Sequence, residues 1–298
     1  MYRDIEIFRM VMQTGSTRQA AEKLAISQPA VSQSIRKLEA KAQVSLFERS
    51  RGRLIPKSSA YKLLAEVEEV FIGMERIEHR LQSLKSEEAS IRIASYPALG
   101  NMFLPRVIAD FDPIQSNCRI ALEVMSSRDV YRAVSNGLFD FGLIADEISI
   151  DKLEHSTIFA SEGAVVMPKG HPLSSLDLIR AKDLSKYPFI ALNPEDQSQK
   201  QLSLIMNSIG LELNVIVETP YSLTVCELVR LGIGIGLVNP ITAYEFLPME
   251  VCIKKFEYPI NFSASLVFQP GYILHKDVSR FIQLIRTRLN SELTSCFS

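Results

Sequence analysis

Apolar residues recur at helical spacing through the first forty positions, and the elements they predict are short. Ile5, Phe8 and Met12 share a face, with Ile7 and Val11 beside them, which predicts a helix over about 3–14. Gly15 ends it, because glycine enters the left-handed region at little cost. Ser16 is a good N-cap for a second helix with Ala20, Ala21 and Leu24 facing inward, and those small alanines allow a close crossing. Ser27 caps a third helix, and Pro29 fits its first turn, where the missing N–H costs nothing. Val31, Ile35 and Leu38 form the buried stripe of that helix. FERSRGRLIP then reads as a basic two-stranded wing around Gly52. Ser58 or Ser59 opens a long helix reaching about Leu84, with an apolar seam at Leu63, Leu64, Val67, Val70, Phe71, Met74, Ile77, Leu81 and Leu84. About 25 residues make some 40 Å of helix at 1.5 Å each. A small winged head cannot cover all of that seam, so a second copy of the chain is the expected partner. KSEEA at 85–89 is polar and reads as a hinge.

The pattern changes at Ile91. Short strand-like runs alternate with helices: IRIASY, a helix over about 101–111, RIALEVM, a helix over 127–136, then FDFGLIA. AVVMP, FIALN, a helix near 199–209, NVIVET, a helix near 222–231 and GIGLVN follow. SASLVFQ and a closing helix from Lys276 to about Leu293 complete the chain. Alternation of this kind predicts an α/β body with parallel sheet. The fold class is therefore α/β: an N-terminal winged helix-turn-helix over 1–57, a linker helix and hinge over 58–88, and a two-lobed domain over 89–298. Lobe one spans about 91–161 and 265–298, lobe two about 162–264.

Charge sharpens this division. Residues 1–57 hold 11 Lys and Arg against 5 Asp and Glu, whereas the remainder holds 22 against 29. A basic head on an acidic body suits a head that meets phosphate. The third helix carries Gln28, Ser32 and Arg36 at i, i+4 and i+8 with Gln33 alongside, an edge rich in hydrogen-bonding groups. Glutamine can pair with adenine, arginine with guanine, and serine with several bases in the major groove. Arg49, Arg51 and Arg53 place three cations on the wing for backbone phosphates or a narrow minor groove. Double-stranded DNA is the expected partner. The four cysteines form no CxxC motif, and the scattered histidines offer no metal pair. Neither a signal-like apolar run nor a membrane-length segment is visible, so a cytoplasmic protein with free, mostly buried thiols is expected.

These residues resemble the LysR-type transcriptional regulators over nearly the whole chain, most specifically in Ala20-Ala21 through Arg53, with SQPAVSQSIRKLE and LFERSRGRLIP. VETPYSLTVCELVRLGIGIGLVNPITAYEF is similar to the amino-acid-responsive branch that includes LysR itself. The resemblance implies a periplasmic-binding-protein-like effector domain, a homotetramer built as a dimer of dimers, RNA polymerase as a further partner, and an effector between the lobes. By position it makes Gln28, Pro29, Ser32 and Gln33 the base-contacting residues and Arg51 or Arg53 the minor-groove arginine. Many relatives have arginine where Gln33 stands, which implies a different base preference here. Ala60 stands where a glycine is common.

In such a body, ligands lie at strand C-termini and helix N-termini. Candidates are Ser95, Tyr96, Pro97 and Ala98 after the first body strand, and Ser126 and Ser127 after the second. Asp196, Gln197 and Ser198 follow FIALN, Thr219 follows NVIVE, and Asn239 with Pro240 follows GIGLV. Hydroxyls and free N–H groups there would hold a carboxylate, and Asp196 or Glu218 an ammonium. An amino acid or a related metabolite with amino and carboxylate groups is the expected effector. Ordinary helix capping is the competing reading of each residue. The glycines at 232, 234 and 236 sit between a helix and a strand, the reverse of the dinucleotide fingerprint, so no cofactor is expected. His171 in KGHPL reads as a turn residue, and no catalytic motif stands out, which argues against an enzyme. A transport solute-binding protein would share the body but lack the basic head. An effector-independent DNA-organising protein would show no ligand-induced stabilisation.

Overall fold

The structure is a computed structural model that describes residues 1–50, 53–83 and 89–296. The chain divides into two compact units, 1–82 and 83–298.

In the first unit α1 (Tyr2–Thr14), α2 (Thr17–Lys23) and α3 (Gln28–Ala42) precede the hairpin β1 (Phe47–Ser50) and β2 (Arg53–Pro56), and α4 (Ser58–Ser83) follows. Gly15 ends α1 with φ +64°, and its N–H donates to Val11 O. The Ser16 and Ser27 side chains accept from Gln19 N and Ala30 N, so both caps form as expected. Phe8, Val11, Ala20 and Val31 are buried together at the helix crossing. Asp4 ties α1 to α3 by accepting from Lys37 Nζ at 3.1 Å. That bond holds its carboxyl below the ordinary aspartate value.

The first half of α4 belongs to this core. Ala60 and Val67 are buried in it, and Leu63, Leu64 and Phe71 pack against it. Phe71 meets Tyr2 and lies under Arg9, which pairs with Glu68 at 2.8 Å. The expected self-association seam is therefore shorter than its sequence pattern: the head covers Phe71, while Val70, Met74, Ile77 and Leu81 stay exposed. Leu84 and the hinge lie outside the described residues, apart from Ala89, which begins the first body strand.

The second unit has two sheets. Lobe one contains β3 (Ala89–Ser95), α5 (Pro97–Gly100), α6 (Phe103–Phe111), β4 (Cys118–Val124), α7 (Ser127–Ser135), β5 (Phe141–Ala145) and β6 (Glu154–Glu162). Lobe two contains β7 (Ala164–Pro168), β8 (Leu178–Ile179), α8 (Ala181–Leu184), β9 (Pro188–Leu192), α9 (Gln197–Ser208), β10 (Asn214–Thr219), α10 (Ser222–Arg230), β11 (Ile235–Val238), α11 (Pro240–Phe246) and β12 (Val251–Phe256). The chain then returns to lobe one through β13 (Asn261–Phe268) and α12 (Lys276–Cys296). The sheet orders are β4-β3-β5-β13-β6 and β10-β9-β11-β7-β12-β8.

Both sheets are mixed: β3 lies parallel to β4 and β5, and β9 to β10 and β11, as the alternation predicts, but other pairings depart from the expected parallel sheet. β13 runs antiparallel to β5 and β6, and β7 runs antiparallel to β11 and β12. These pairings arise where the chain crosses between lobes, a long-range event that local alternation does not encode. The return crossing also comes earlier than residue 265, because all of β13 from Asn261 pairs within lobe one. β6 and β12 went unforeseen: β6 is mostly exposed, and Lys254 and Lys255 interrupt the apolar pattern of β12. The helix expected over 101–111 is α6, which starts at Phe103, and the short α5 precedes it unforeseen.

Gly234 and Gly236 serve backbone packing beside β9. A Cβ on Gly236 would stand 2.4 Å from Val225 Cγ1 and 3.1 Å from Ile190 O. Gly236→Ala should cost about 1–3 kcal/mol of stability by overpacking. Urea unfolding measures this; an unchanged midpoint would show that α10 yields without cost. The four cysteines are free, and Cys118, Cys226 and Cys296 are buried. Among the described residues, no helix is long and apolar enough to cross a membrane.

Candidate DNA-reading face and interlobe cleft

The α3 stripe fixes what its other side presents. Val31 and Ile35 are buried, so Gln28, Pro29, Gln33 and Arg36 face solvent, and Ser32 is half-buried between the two faces. Gln28 Nε2 donates to Thr17 Oγ1 at 3.2 Å, linking the start of α3 to α2. Arg36 Nε donates to Ser32 O at 3.3 Å, which directs the guanidinium back along the exposed edge. Glu39 Oε1 accepts from Leu46 N at 2.8 Å and Phe47 N at 3.2 Å, fastening the wing to α3. In the wing, Arg49 pairs with Leu54 and Ser50 with Arg53. Arg51 and Gly52, at the tip, lie outside the described residues.

In the body, the strand ends of the two lobes converge on a cleft of about 190 Å³. Of the expected effector residues, Tyr96, Pro97, Ala98, Ser126, Ser127, Asp196, Gln197, Ser198 and Asn239 line it. Ser95, Thr219 and Pro240 do not: all three are buried, and Ser95 Oγ donates to Tyr96 O at 3.1 Å. Glu218 is exposed on β10 and also lies outside the lining.

Several lining residues already have structural duties. Ser126 Oγ accepts from Asp129 N, and Ser127 Oγ accepts from Ala145 N at 3.1 Å. Asp196 caps α9, its Oδ1 accepting from Ser198 N at 2.9 Å and Gln199 N at 3.1 Å, with the Ser198 hydroxyl also in contact. Asn239 Oδ1 accepts from Ile241 N at 2.9 Å. Two groups are less committed. Tyr221, the N-cap of α10, supplies no side-chain cap, so the start of that helix offers N–H groups and a positive dipole end to the cleft. Tyr96 Oη is buried and makes no well-formed hydrogen bond, although the Asn239 side chain faces it.

Sequence reading missed Asp146 and Glu147, which line the cleft just beyond β5. The strand-end rule that selected the other residues also covers FDFGLIA. It missed Tyr221 and Ser222, and Asn261, Phe262 and Ser263 of β13, which reach the cleft through the return crossing. Asp146 Oδ2 accepts from Ser263 Oγ at 2.9 Å. The low-dielectric surroundings, then Asp196 and Asp146, push the Glu147 carboxyl above its ordinary value, and Arg128 opposes them. A larger hollow of about 610 Å³ lies among α6, α11 and α12. No strand end opens on it, and its Arg106, Arg288, Asp110, Glu245 and Glu292 pair with one another.

Two family profiles match the chain: the bacterial regulatory helix-turn-helix protein, lysR family, over residues 2–57, and the LysR substrate binding domain over residues 85–290. The chain is 30% identical over 292 residues to the transcriptional activator protein LysR of Escherichia coli (strain K12), covering 98% of this chain and 93% of that protein. It is 31% identical over 266 residues to the regulatory protein NocR of Agrobacterium fabrum, covering 89% of each. Its fold matches the crystal structure of full-length CbnR complexed with target DNA at a TM-score of 0.69 and 16% identity, covering 96% of this chain and 99% of that one.

Proposed function

Since this chain belongs to the LysR family of bacterial transcription regulators, we propose that α3 reads an operator through Gln28, Pro29, Ser32, Gln33 and Arg36 while a small effector binds between the lobes. The general function, a DNA-binding regulator with an effector domain and not an enzyme, is that of the family. One observation carries the finer reading of the head: a helix buried along Val31 and Ile35 turns a hydrogen-bonding edge, neutral but for Arg36, to solvent. That edge suits base edges in the major groove, and the wing arginines Arg49, Arg51 and Arg53 suit the backbone beside it. Two heads in a dimer would meet half-sites about one helical turn apart, or a multiple of it. A dimer of dimers, with RNA polymerase as a further contact, completes this reading.

The cleft supports an effector with both amino and carboxylate groups. The uncapped start of α10 and the cleft hydroxyls can hold a carboxylate, and Asp146, Glu147 and Asp196 can hold an ammonium. Ligand binding would bias lobe closure and thereby the spacing of the heads.

The test is a genomic binding selection followed by footprinting. Gln28→Ala and Gln33→Ala should each weaken the selected site by about 1–3 kcal/mol relative to competitor DNA. Either variant footprinting like the wild type would remove that residue from the reading edge.

A further inference from the structure

Among the described residues, those that line the interlobe cleft include three carboxylates, Asp146, Glu147 and Asp196, and no Lys, Arg or His. A zwitterion with a single ammonium would leave this lining with excess negative charge. The three carboxylates differ in what they already hold. Asp196 is engaged at the start of α9, where the helix dipole helps to stabilise it. Asp146 accepts from Ser263. Glu147 makes no hydrogen bond or ion pair among the described residues, and its neighbours Asp146 and Asp196 repel its charge while Arg128 offsets part of that repulsion. A second, independent feature also awaits a ligand. Tyr96 is 6% exposed, lines the same cleft and leaves its Oη without a well-formed hydrogen bond.

Resting on the reading of the cleft as the effector site, we infer that the effector carries a second cationic nitrogen besides its α-amino group, and that Glu147 is the side chain that selects it. Its carboxylate sits at the uncapped start of α10. Its α-ammonium lies near Asp196 and Tyr96, and its distal cation meets Glu147. The ligand class is a small amino acid or derivative of net positive charge. Binding of the cation favours ionised Glu147, so affinity falls as pH drops through the raised pKa of that group. Asp146, Asp196 and Arg128 are the charged groups that face it.

The test is calorimetry and thermal shift on the full-length protein with matched probes: L-lysine and L-arginine against L-norleucine and L-citrulline, with L-2-aminoadipate as the acidic control. The cationic members should bind about tenfold to a hundredfold more tightly than their neutral counterparts, the range expected for one charge-assisted hydrogen bond. Glu147→Gln should erase that preference and the pH dependence of binding without lowering the melting point of the free protein, because it removes a carboxylate that its neighbours repel. Equal binding of neutral and cationic probes, a preference that survives Glu147→Gln, or no binding by either cationic probe would overturn the inference. Ala98→Trp separates the two levels of the argument. If neutral and cationic probes bind the wild type equally and this variant abolishes both, the cleft reading stands and the charge preference fails. If a cationic probe binds as well to this variant as to the wild type, the cleft reading fails too.

Discussion

Replacing Ile77 and Leu81 together with aspartate should convert the proposed dimer to monomers and lower operator affinity by about 10²-fold or more, the avidity lost when two linked heads become independent. The argument rests on α4. Val70, Met74, Ile77 and Leu81 are 48%, 37%, 57% and 55% exposed. They recur at steps of four, three and four residues, the spacing of a coiled-coil seam. Moving a half-exposed side chain of this size from water into an interface contributes about 1 kcal/mol. Four positions in each of two copies give on the order of 8 kcal/mol, enough to offset an association cost within the 4–15 kcal/mol range. An aspartate in such a seam has no partner and opposes its own copy. Sedimentation velocity and a gel-shift titration check the two halves of this expectation. Phe71→Asp is the informative contrast. Phe71 packs on Tyr2 and beneath Arg9, so that change should destabilise the head itself and not only the pairing. An Ile77→Asp/Leu81→Asp protein that sediments like the wild type would remove this seam as the self-association surface.

Removing the Arg106 guanidinium should cost the effector domain about 3–5 kcal/mol, the penalty for leaving a buried charge without its partner. Arg106 pairs with Glu245 of α11 and with Glu292 of α12 at 2.7 Å, and both glutamate side chains are 6% exposed. One Glu245 oxygen already lacks a partner, so Glu245 has nothing to fall back on. Glu292 keeps Arg288 Nε at 2.9 Å. For a domain of this size, Arg106→Met should lower the melting temperature by roughly 10 °C. Adding Glu245→Gln should restore much of it, because the orphaned charge is then gone. A melting point within about 2 °C of the wild type, a shift worth under roughly 1 kcal/mol, would mean that water or movement of α11 solvates Glu245. The contact also has a functional side. The same short helix begins beside Asn239, which lines the cleft, and carries Glu245, held from α6, in its last turn. The triad thus ties the cleft end of lobe two to the helices of lobe one.

The head was legible because its information is local. A serine cap lies one to three residues from the N–H it satisfies, and a helical stripe repeats within a few turns, so Ser16, Ser27, Val31 and Ile35 declare themselves in the chain. The cleft was legible in part for the same reason. Strand ends followed by capping residues marked Tyr96, Ser126, Ser127, Asp196 and Asn239. Ser95, Thr219 and Pro240 carried the same local signature yet turned inward, since burial depends on what packs above a residue and not on its neighbours in sequence. The α4 seam divides similarly. Its apolar repeat was plain, but contact with α1 determined that Phe71 faces the head and Ile77 faces solvent.

By itself, then, the sequence determined the order of the elements, the polar reading edge of α3, the basic head and the alternation of strand and helix, all of which are written over a few residues. Only the tertiary structure decided the mixed sheets, the arrival of Asn261 to Ser263 at the cleft and the joining of Arg106 to Glu245 and Glu292. Those features bring together residues about 70 to 190 positions apart, and a contact at that separation is set by packing of the whole domain, which leaves no local mark on the chain.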